Sequence, residues 1–355
     1  MTSKSFVYSM VGIILVAPLF LFTYNRLVLS RANPLPHDIR KADRPLYSNM
    51  YLSKNFSGYS YRFNIDQGFS KFKFSTNDLG LRTPPINYGS ELILFSGDST
   101  LFGSNLNDNE TVPFLLERNL KNQYSVVNAG IPGKGIPHNL LTLKNFIYLS
   151  EKKDFKIKIF VNWIKGGDFE FPRSIEDIKK RALKEDLGLK RRLMIRFPSL
   201  TAFMANIIAP DRLSLFRNSF KNLFLERKNF RFTPNSKVPP SLPSVDAVFE
   251  RNLQYFLKIH KLARQNSIIV LNIIHTTDYV DIVHEDTYSD HLEKLLINNG
   301  AENIIKVKDI YALNPSIFPK IAYLGDDFAH FTYPASQLIA DFIYKYLSRL
   351  LKAEH

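Results

Sequence analysis

Two hydrophobic patterns alternate along most of this chain. Short uninterrupted apolar runs, at 92–96, 124–128, 157–164, 268–274 and 303–307, predict strands. Between them lie stretches in which apolar positions recur every three or four residues, at 112–120, 138–149, 246–265, 288–299 and on to Leu350; these predict helices. Strands apolar on both faces and separated by helices predict a mostly parallel sheet covered on both sides, a three-layer α/β/α sandwich. Ligands of such sheets gather outside the carboxyl ends of the strands, so residues just after each run are the ones to inspect.

The rhythm is broken in two places. Residues 169–244 read as an insert, with basic clusters (Lys179-Lys180-Arg181, Lys190-Arg191-Arg192, Arg227-Lys228) around an apolar stretch from Leu200 to Ile208. The ordinary reading of such charge runs is a solvated helix face; the functional one is a cationic amphipathic lid toward an anionic surface. Upstream, 31–90 reads as a linker and a small β-rich segment, in which Tyr47 to Phe74 alternates aromatic and polar residues around Asp66-Gln67-Gly68 and predicts two short strands. The turn Asn77–Arg82 that follows has no function legible in its composition.

From Ser5 to Asn25 no residue is charged, and 6–24 is almost wholly apolar. Crossing a bilayer takes about 20 such residues. No Ala-x-Ala cleavage pattern follows, and a chain without cysteine has no lipidation box, so an uncleaved anchor over 1–30 is expected, with 6–24 in membrane lipid and a signal peptide as the alternative. Lys4 precedes this span, whereas Arg26, Arg31, Arg40, Lys41 and Arg44 follow it; by charge alone the remainder belongs on the cytoplasmic side. The net charge of +14 would also suit nucleic acid, but no nucleic-acid motif is present and none is expected as a partner. No cofactor or metal is expected: there is no Gly-rich phosphate loop, and His275, His284 and His291, spaced by nine and seven, make no ligand pattern.

The candidate chemistry stands at two strand ends. Gly97-Asp98-Ser99 follows the first core strand and precedes a helical stretch, which would leave Ser99 at the sheet edge beside unpaired helix N–H groups. Near the other end, Gly325 to Pro334 contains Asp327 and His330, three apart, a spacing that lets a carboxylate orient an imidazole on one turn. Each motif alone is more often a cap. Together they make a nucleophile, a base and an acid.

With these two motifs the chain resembles the GDSL-type or SGNH hydrolases, from about Asn77 to the C-terminus with the insert unmatched. The resemblance implies a flavodoxin-like sandwich over 91–350, with Ser99 as nucleophile, His330 as base and Asp327 as acid. Asn128-Ala129-Gly130 matches a second family motif, Asn-x-Gly, implying that Ser99 N–H, Gly130 and Asn128 line the oxyanion hole. A third motif, Gly-x-Asn-Asp, is matched by Lys165-Gly166-Gly167-Asp168, so Gly167 stands where the family carries its oxyanion-hole Asn; Lys165 or Asn162 could substitute. Anchored relatives mostly work outside the bacterial inner membrane on envelope glycans. A single-pass protein with a periplasmic domain that cleaves or transfers acetyl or acyl esters is therefore implied. An anionic envelope polymer or a partner membrane protein would be its partners. Loss of the Asn leaves a second reading open, a catalytically impaired module that binds or scaffolds in a membrane-associated assembly.

Overall fold

The computed structural model describes residues 55, 57–64, 68–121, 123–165, 168–169, 174–175, 247–275, 288–314, 323–324 and 327–352. The expected anchor at 6–24, nearly all of the insert at 169–244, and Gly167 lie outside these. Among the described residues no helix is long and apolar enough to cross a membrane.

The five predicted core strands are β3 (Glu91–Gly97), β4 (Ser125–Gly130), β5 (Lys156–Lys165), β6 (Ile269–His275) and β7 (Asn303–Lys306), preceded by a separate antiparallel hairpin, β1 (Ser57–Asn64) and β2 (Gly68–Ser75). The core strands form one parallel sheet in the order β4-β3-β5-β6-β7. Counting the sheet strands alone this is 2-1-3-4-5, a doubly wound order whose direction of travel reverses between β3 and β5.

Alternation along each strand sends side chains to two cores. On one face Leu92 and Leu94 of β3, Phe160 and Ile164 of β5 and Val270 of β6 pack against α3 (Ile136–Ser150), α4 (Ala247–Gln265) and α5 (Tyr288–Asn298). On the other, Ile93, Phe95, Val161, Trp163 and Leu271 pack against α2 (Val112–Asn119), α6 (Val307–Ala312) and α7 (Tyr333–Lys352). Most of these side chains are wholly buried, each worth about 1.5–3 kcal/mol relative to exposure. The result is the expected three-layer α/β/α sandwich.

One row across the sheet is polar. Ser96, Asn162 and Asn272 are register partners on the α3/α4 face, and their side chains form a chain: Ser96 Oγ to Asn139 Oδ1 (2.9 Å), Asn139 Nδ2 to Asn162 Oδ1 (2.8 Å), Asn162 Nδ2 to Asn272 Oδ1 (3.0 Å). Buried amides are kept only where they are bonded, and these are. The open edge at β4 is closed the same way: Val126 N–H donates to Glu117 Oε1 (3.0 Å), and Thr83 Oγ1 donates to Val126 O (3.1 Å). Burial pushes the Glu117 carboxyl above its ordinary range, and the Val126 N–H opposes that. The edge therefore offers no bare backbone pair at Val126 for a second chain to add to.

Candidate active site

Immediately after β3 the chain makes α1 (Ser99–Phe102), a helix of four residues. So short a helix has no stability of its own and must be held from outside. Asp98 caps its start, Oδ1 accepting Thr100 N–H at 2.9 Å. At its far end the buried Arg82 donates to Phe102 O (2.9 Å), Gly103 O (2.7 Å), Leu106 O and Lys73 O, while its Nε pairs with Asp108 Oδ1 at 2.9 Å. Its plane also lies against Phe102, 4.8 Å from the ring centre. Burial pulls the guanidinium pKa down, and Asp108 opposes it. The turn Asn77–Arg82 thus has a purpose: it delivers the guanidinium that ends the serine helix.

The third support is β4. A Cβ on Gly130 would stand 2.5 Å from Phe102 N, so only glycine lets α1 lie this close to the strand. Gly130 N–H donates to Asn128 Oδ1 (3.0 Å), and Asn128 Nδ2 donates to Leu101 O (3.3 Å). Asn128 thus ties β4 to α1 through one of its two amide N–H groups. Asn162 is likewise committed to the buried polar row. Further along, Ile131 N–H donates to Gly97 O and Pro132 has no N–H. Gly133, exposed and at a left-handed φ of 71°, carries the first amide beyond β4 with no partner among the described residues.

Opposite the serine runs β9 (Asp327–Phe331), antiparallel to β8 (Tyr323–Leu324). His330 Nε2 lies 3.0 Å from Ser99 Oγ, joining residues 231 apart in sequence. Phe331 pins this strand, packing edge-on against Trp163 (6.0 Å between centres) and beside His275 (4.7 Å). The spacing of Asp327 and His330 predicted a shared turn. Both instead lie on β9; the Asp327 side chain lies outside the described residues.

Three more groups complete the sheet edge. His275, the end of β6 and register partner of Lys165, is buried; burial above all, then the charges of Lys165 and His330, hold its pKa well below the ordinary histidine value, so it is neutral. Lys165, at the end of β5, places its ammonium 3.8 Å from Asp98 Oδ2. Asp168, also buried, accepts Lys165 N–H at 2.8 Å. Burial, and then the charge of Asp98, push the Asp168 carboxyl well above the usual carboxylate range, against the pull of Lys165. Among the described residues no group of three or more His, Asp or Glu side chains is placed to hold a metal ion.

No family model matches the chain, and no curated protein matches it. Among solved structures it is similar to the crystal structure of LAE5, an alpha/beta hydrolase enzyme from the metagenome of Lake Arreo, Spain, at 12% identity over 72% of this chain and 94% of that one, with a TM-score of 0.37. So loose a superposition carries no weight on function, and the chemistry has to be read from the site itself.

Proposed function

We propose that this chain is a serine hydrolase or acyltransferase of the SGNH type that acts on acyl esters. The supporting observation is the 3.0 Å contact between Ser99 Oγ and His330 Nε2 at the carboxyl edge of a parallel sheet. That is the reach a nucleophile and its base require. Ser99 Oγ attacks the ester carbonyl carbon, its proton passes to His330 Nε2, and the carbonyl π pair moves onto oxygen. The tetrahedral species collapses as the alkoxide leaves with the bonding pair and takes the proton from His330. Water or an acceptor hydroxyl then repeats the sequence on the acyl-serine. Asp327 is the orienting acid in this reading. Ser99 N–H, first in α1, is a backbone donor for the oxyanion.

Residues 6–24 would tether the domain to a bacterial inner membrane, with envelope glycans on the periplasmic side as the ester-bearing substrate. The second reading, a binding or scaffold module, is favoured by one observation: Gly130 N–H donates to Asn128 Oδ1, so these two expected oxyanion positions bond to each other. Labelling of the detergent-solubilised chain with a fluorophosphonate separates the two. A serine hydrolase labels in the wild type and not in Ser99→Ala; no labelling of folded wild type supports the scaffold.

A further inference from the structure

The geometry points to Lys165 as the group that neutralises the oxyanion, a charged side chain standing in for the carboxamide donor this site lacks. The inference rests on the serine-hydrolase reading above and deepens it.

Its placement comes from the sheet. Ser96 and Asn162 are register partners across β3 and β5; Lys165 is the last residue of β5, and Ser99 begins α1 just after β3 ends at Gly97. These are the two strands between which the sheet reverses direction, where doubly wound folds bind their ligands. Lys165 is also the register partner of His275, and both its charge and that of His330 act on that buried ring. Nucleophile, base and ammonium therefore share one corner of the sheet edge.

The ammonium is also available. Its side chain is 28% exposed, where Asp98 is 6% exposed, and the 3.8 Å separation from Asp98 Oδ2 is an ion pair rather than a hydrogen bond. Among the described residues Lys165 Nζ donates no hydrogen bond, although it carries three N–H groups. The alternatives are committed elsewhere: Asn128 to Leu101 O and Gly130 N–H, Asn162 to Asn139 and Asn272. Asp168 lies close by and accepts Lys165 N–H, and burial favours its neutral form. A partly desolvated cation aimed where charge develops, and nearly idle before it develops, stabilises the transition state more than the ground state.

The test is the rate of fluorophosphonate labelling at Ser99 in the full detergent-solubilised chain, since phosphonylation develops the same negative oxygen as ester attack. Turnover of p-nitrophenyl acetate gives the split between kcat and KM. Lys165→Met should label about 100-fold more slowly, the loss expected for one oxyanion donor, and lower kcat with KM within about threefold. Lys165→Arg keeps the charge and should recover to within about tenfold of wild type. Labelling of Lys165→Met at the wild-type rate overturns the inference while leaving the hydrolase reading intact. Equal loss in Lys165→Met and Lys165→Arg with a lowered melting temperature assigns Lys165 to holding Asp98, and also overturns it. Wild type that folds but does not label at Ser99 removes the hydrolase reading itself.

Discussion

Ser99 and His330 face each other but are supported in different ways. The serine turn is fixed from three directions, by Asp98 at its start, Arg82 at its end and Gly130 beneath it. The histidine rides on the five residues of β9, where Phe331 packs against Trp163 and His275. Position on the serine side is bound up with the stability of the fold, because its supports are buried polar groups that cannot be left unsatisfied. On the histidine side the aromatic packing of Phe331 contributes to it. Damage to the two sides should therefore look different, one losing fold and chemistry together and the other chemistry first.

Arg82→Met is the severest break. It removes a donor from four carbonyls, of which Gly103 O keeps Leu106 N–H, and leaves Asp108 without its cation, a loss on the order of 3 kcal/mol or more by the usual cost of orphaning buried polar and charged groups. Urea denaturation should register that loss, and Ser99 labelling should vanish with it. Gly130→Ala comes next. Its Cβ, 2.5 Å from Phe102 N, must displace α1, costing about 1–3 kcal/mol. A shift of about 1 Å in Ser99 would slow labelling by roughly 100-fold. Both variants should lower the denaturation midpoint and the labelling rate in parallel.

Phe331→Leu tests the other side. The volume change is modest, so stability should fall by less than about 1.5 kcal/mol. Yet the ring that holds β9 against Trp163 and His275 is gone, and His330 loses its setting. A tenfold or greater drop in labelling rate, with the denaturation midpoint nearly kept, is expected, since misplacement of a catalytic group costs more than its support is worth in stability. A Phe331→Leu that unfolds as readily as Arg82→Met would erase the contrast between the two sides.

The sheet was largely legible because its strands are apolar on both faces and stop at turn residues. The run at 157–164, for example, is β5 to within one residue at each end. Less legible were contacts whose partners lie far off in sequence. Arg82 gives no sign of its role, because three of its four carbonyl acceptors lie 20–24 residues later. Asn128-Ala129-Gly130 reads as an oxyanion motif, and only the fold reveals that the carboxamide turns back on its own strand and on α1. The Asp327–His330 spacing suits a turn as well as a strand, and pairing of β9 with β8 decides it. Ser99 and His330 themselves were legible by residue type, as a serine at a strand-to-helix turn and a histidine in a polar cluster before the last helix.

The mildest prediction concerns Asp168, which belongs to neither side but stands behind Lys165. Its pKa is raised in the fold, chiefly by burial, so the protonated acid is the form the fold prefers. A carboxyl with a raised folded pKa contributes its stability in full below the unfolded value, near 4, and loses it as pH rises toward the folded value. The chain should therefore lose part of its stability between about pH 4 and the raised pKa, in the direction opposite to that given by salt-bridged carboxylates. Asp168→Asn keeps an acceptor for Lys165 N–H and removes the titration. At neutral pH and above it should be at least as stable as wild type, with the advantage shrinking as pH falls toward 4, measured by urea denaturation across that range. Because Lys165 keeps its place, the labelling rate of Asp168→Asn should stay near that of wild type. If stability instead drops uniformly at every pH, the Asp168 carboxylate is a structural partner of Lys165, and the local charge balance must be redrawn with both carboxylates ionised.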